Sequence, residues 1–100
     1  MEDIPILVKI LIFLTFIEIV MEFAVFELMA RREGGVFKKW GNPLPSILSF
    51  RGFAFSWWMI ILRNFKNEIS DSTTIFWCHT LALVIYTMWI LGLIILIQLL

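Results

Sequence analysis

The sequence predicts an all-α membrane protein: a two-span transmembrane helical hairpin whose connection carries an amphipathic helix, interfacial or shallowly re-entrant. Three observations predict it. Of 100 residues, 61% are hydrophobic, against about 45–50% in soluble domains. Two apolar runs, 5–31 and 72–99, each exceed the roughly 20 residues that cross a bilayer. Seven of the eight lysines and arginines, Arg31, Arg32, Lys38, Lys39, Arg51, Arg63 and Lys66, lie from the last residue of the first run onward and before the second. By the positive-inside rule the middle segment is cytoplasmic and both termini are outside.

The chain reads as a single unit, 1–100. Met1 to Pro5 is a short acidic tail, and Pro5 suits a first helical turn. The start, Met-Glu-Asp, lacks the basic region of a signal peptide, and the apolar run after it is too long for one. The first helix is therefore expected to stay in the mature protein. That span, 5–31, is apolar yet carries Lys9, Glu18, Glu22 and Glu27. Arg31 and Arg32 favour its C-terminal end, and Gly34-Gly35 supplies a stop.

Residues 32–45 read as a basic loop punctuated by Gly, Asn and Pro. Lys38, Lys39 and Trp40 there are expected at lipid headgroups. Residues 46–70 read as the amphipathic helix. Its apolar core lies between Arg51 and Arg63, a gap of about 16 Å as a helix, half of the roughly 30 Å hydrocarbon layer. Ser49, Gly52, Ser56, Arg63, Asn67 and Ser70 fall on one narrow polar stripe. The aromatic residues between them, Trp57 and Trp58 included, are expected to anchor in the interface. Asp71 caps the second span, which has no Asp, Glu, Lys or Arg.

The layout resembles the small bacterial membrane proteins of the universal stress protein B type. Arg31-Arg32, Gly34-Gly35, Phe37, Gly41-Asn42-Pro43, Leu62-Arg63-Asn64-Phe65, Asp71 and Cys78 carry the resemblance. It implies location and shape: an N-terminal span, a basic cytoplasmic segment and a C-terminal span in a bacterial inner membrane.

Several side chains are candidates for chemistry. Glu18 and Glu22 are four apart and share a helix face with Thr15. Two carboxyls this close cannot both ionise cheaply in low dielectric, so the pair is expected to hold a proton or a cation. Glu27 is expected near the cytoplasmic end, within reach of headgroups. His79 and Tyr86 share a face of the second span. In an antiparallel pair Tyr86 falls near the level of Glu22 and Glu18, so those faces are expected to meet each other or another subunit. His79 has no second ligand at metal spacing and is expected to bond Glu27 or water. Cys78 is expected to be a buried apolar residue. No cofactor, metal or nucleic-acid partner is expected, and no nucleophile–base pair or phosphate loop suggests an enzyme.

Two functional readings follow. In the first, the chain is an accessory or regulatory subunit docking through the acidic face of helix 1 onto a larger membrane complex or its own copies. In the second, it is an oligomeric proton- or cation-conducting, or holin-like, component that uses Glu18 and Glu22.

Overall fold

The computed structural model describes residues 3–100; Met1 and Glu2 of the expected acidic tail lie outside them. The described residues are helical, with no strand among them. Two long helices, α1 (Asp3–Arg32) and α5 (Ser72–Leu99), run side by side in opposite directions. Arg32 at the end of α1 meets Asp71 before α5, with Nη1–Oδ1 at 3.4 Å. Glu18 and Glu22 meet Ile85, Met88 and Trp89 farther along. At 1.5 Å per residue a 30-residue helix is roughly 45 Å long, close to the 48 Å longest extent of the molecule. Among the described residues α5 is the one helix long and apolar enough to cross a membrane. The four charges inside α1 set it apart from α5.

The end of α1 differs from the sequence reading. Gly34-Gly35 does not end the helix; it begins a short helix, α2 (Gly34–Lys39), inside the stretch read as a loop. The break falls one residue earlier, at Glu33 (φ −127°, ψ 47°). The Glu33 carboxylate turns across the gap and accepts the backbone N–H of Ser70 at 3.1 Å and of Asp71 at 2.8 Å. That tie links the two ends of the connecting segment where α1 stops and α5 starts. Phe37 of α2 then packs edge-on against Phe26 of α1. Gly41 (φ +75°) and Asn42 (φ +50°) reverse the chain through two successive left-handed residues, conformations that Gly and Asn adopt most readily.

Residues 46–70 are not one interfacial helix. They form α3 (Phe50–Ser56), a π-helical turn (Trp57–Ile61), a break, and α4 (Phe65–Glu68). Ser49 caps α3 by accepting the Gly52 N–H at 3.3 Å. The break comes at Arg63, whose φ is +62°. The Asn64 side chain covers the break by donating to the Trp58 carbonyl at 2.8 Å. The sequence pattern misled because its polar stripe turns inward along α3, while Asn67 and Ser70 beyond the break stay exposed. Gly52 and Ser56 are buried, and Gly52 lies so close to the Leu44 carbonyl that a side chain there would collide with it.

The connecting segment thus folds inward between the long helices. Phe55, Met59, Ile60 and Phe65 from it, Val25, Phe26 and Met29 from α1, and Cys78, Leu81 and Ala82 from α5 form one buried core. The segment's deepest contact sets the Trp57 ring 5.7 Å from that of Trp89. Trp89 is 18 residues past Asp71, roughly 27 Å along the α5 axis. The segment's contacts therefore reach far along α5.

Candidate functional site

The site grows from the inner face of α1. Glu22 is 3% exposed, a burial a carboxylate tolerates only with hydrogen-bond donors supplied. Ser46 supplies two: its backbone N–H donates to Oε1, and its hydroxyl donates to Oε2 at 2.8 Å. The local sequence explains why that N–H is free. Pro43-Leu44-Pro45 keeps the backbone extended and outside any helix, so Ser46 has no ladder partner and points its donor at α1. Glu18, one turn earlier, is half-buried and lines the same cavity as Glu22.

Both carboxyls open onto a cavity of about 180 Å³. Ser46 and Ser56 add hydroxyls to its wall; Phe53, Ile61, Ile85, Met88 and Trp89 complete it. One carboxyl is fixed by two donors and the other lines the same cavity, beside two hydroxyl oxygens. That oxygen-only set suits a proton shared between carboxyls, or a small cation. No cluster of three or more His, Cys, Asp or Glu is present among the described residues.

The other candidates fall elsewhere. Tyr86 does not meet the carboxyls: its hydroxyl donates to the Ile61 carbonyl, which the π-turn leaves exposed to a side-chain partner. Thr15 bonds its own helix at the Leu11 carbonyl, 2.8 Å. Glu27 lies on the exposed side and pairs with Arg31 at 2.6 Å. His79 therefore has no contact with Glu27; its Nδ1 meets the Arg63 guanidinium instead. Lys38 and Lys39 are exposed on α2. Trp40 and Trp58 are not free anchors: they pack on each other at 5.6 Å, and Trp40 also packs against Phe55. Trp57 keeps one face exposed. Cys78 is fully buried.

Electrostatics at the closed end are set by Asp71. The Thr74 hydroxyl at 2.7 Å and its backbone N–H at 3.0 Å both donate to Oδ2. These bonds, helped by the Arg32 guanidinium, hold the Asp71 carboxyl below the usual carboxylate range. Sequence reasoning missed Ser46 as the partner of Glu22 and Glu33 as the tie to Ser70 and Asp71. The first had a signal: a residue following Pro-Leu-Pro carries an unpaired N–H. No family model, curated protein or solved structure matches the chain.

Proposed function

We propose that the chain is a small integral membrane protein whose working part is a proton- or cation-binding site at Glu18 and Glu22. In this reading α1 and α5 both cross the bilayer as a hairpin. The connecting segment is cytoplasmic and dips into the membrane, and both termini lie outside, as in a bacterial inner membrane. The observation that carries the reading is Glu22, buried and held by both donors of Ser46, with Glu18 beside it at a cavity. Carboxyls kept inside a membrane helix are costly and mark function by default. Irregular backbone at that depth is tolerated where protein buries it or a polar cavity solvates it; Pro43 and Pro45 are buried and Ser46 lines the acidic cavity.

The subunit reading rests on a different observation. The free halves of α1 and α5 expose Phe13, Phe16, Val20, Ile90 and Leu93, an apolar surface available to partner helices or further copies. It no longer uses Glu22 for docking, because Glu22 is spent inside the chain.

Glu18→Gln and Glu22→Gln separate the two. Native mass spectrometry of the gently extracted protein reads assembly, and a pH-sensitive dye in reconstituted vesicles reads flux. Intact assembly with lost flux supports the acidic site. Lost assembly with a co-purifying partner moves the weight to the subunit reading. Flux unchanged in both variants removes the acidic site from the mechanism.

A further inference from the structure

On the outer side of the molecule, away from the acidic cavity, Arg63 lies against His79. Arg63 is a permanent cation with no carboxylate within ion-pair distance among the described residues. Its Nε is buried without a partner, and its backbone is fixed in the left-handed region. Such a conformation costs an L-residue roughly 1–2 kcal/mol, and glycine would avoid it. A half-buried, uncompensated guanidinium held in a strained backbone is an unfavourable arrangement for stability alone.

The chemistry of the pair is defined. The Arg63 Nη2 has only protons to give, so Nδ1 of His79 accepts and the ring proton sits on Nε2. The remaining guanidinium Nη N–H groups and the imidazole Nε2–H of exposed His79 are thus left as donors with no acceptor among the described residues. The setting is apolar. Leu62 beside Arg63 is exposed, and so are Phe76 and Leu83, one turn either side of His79 on the same face of α5. The strip continues through Ile90 and Ile97, both exposed, over roughly 27 Å from His79. A donor pair at the head of an apolar strip of that length matches a phosphate with an acyl chain attached, not a free anion.

We propose that Arg63 and His79 bind the phosphate of an anionic phospholipid whose acyl chain runs along α5 past Leu83 and Ile90. The site rests on the membrane reading but is independent of the acidic cavity, and its test reads bound lipid by mass instead of flux. The full chain in neutral detergent is titrated with phosphatidylglycerol or phosphatidylcholine, and retained lipid is counted by native mass spectrometry. Phosphatidylglycerol is expected to bind roughly tenfold tighter, because phosphatidylcholine sets a quaternary ammonium beside the same phosphate, cancelling its net charge and repelling the guanidinium. Arg63→Gly should abolish that preference, with a thermal midpoint no lower than the wild type's, because glycine adopts the left-handed backbone freely. Arg51→Gln, which removes an exposed arginine elsewhere, should keep the preference. Equal binding of the two lipids, an unchanged preference in Arg63→Gly, or displacement by millimolar inorganic phosphate would each overturn the proposal.

Discussion

The Ser46 side chain does for Glu22 what bulk water does for an exposed carboxylate. Ser46→Ala removes one charge-assisted bond and leaves the other, so it should cost about 1–2 kcal/mol of stability. Glu22→Leu removes the acceptor and strands two donors, so it should cost more than Ser46→Ala. Thermal unfolding in detergent measures both; the reverse order would mean that Glu22 is not seated on Ser46. At this scale the sequence was partly legible. The Glu18–Glu22 pair declared itself by being charged inside an apolar helix. Its partner did not, because a serine in a Pro-rich loop has no periodicity to betray which way it faces. Tyr86 was expected to face the carboxyls and His79 to bond Glu27 or water. The partners proved to be Ile61 and Arg63, which depend on how the connecting segment folds.

Helix ends and close approaches govern the elements. Asp71 holds α5 at its N-terminus through Thr74, and its folded-state pKa is lowered. A lowered carboxyl contributes stability above its unfolded value of about 4. That stability is lost as pH falls through the folded value. The thermal midpoint should therefore fall as the pH drops below about 4, and Asp71→Asn should flatten that dependence. A profile unaffected by Asp71→Asn would deny the cap its electrostatic role. Gly52 is the corresponding contact for α3. Gly52→Ala sets a Cβ against the Leu44 carbonyl, and overpacking of this kind costs about 1–3 kcal/mol. Wild-type stability in that variant would show that α3 does not lie on residues 44–45. The two long helices were readable from length and apolar content. The broken helix between them was not, because a stripe of Ser and Gly looks the same whether it faces water or a second backbone.

For the whole molecule the core is one-sided. It occupies the end where α1 stops and α5 starts, and the connecting segment fills it. Asn42 and Ser70 are both exposed at that end. Cysteines placed there should be labelled by an impermeant maleimide from one face of the membrane, whereas buried Cys78 should remain unlabelled until the chain is unfolded. Labelling of the two sites from opposite faces would require a third crossing. Composition made the all-helical character and the one long apolar helix legible. It did not reveal how far along α5 the segment's contacts reach, because hydropathy scores how apolar a segment is and not what covers it.

The inward fold also gives the protein an optical gauge. Its deepest contact stacks the indoles of Trp57 and Trp89, and its upper layer stacks those of Trp40 and Trp58. Four of the five tryptophans therefore sit in two closely spaced, tilted pairs, each with one ring on the connecting segment's inner part. Rings this near and this tilted couple electronically and give a paired band in circular dichroism. Withdrawal of the segment from the long helices would separate Trp57 from Trp89 on α5 and leave the Trp40–Trp58 pair, both on the segment, in place as an internal reference. The spectrum of the unlabelled protein would then report, without any added dye, whether the segment is seated.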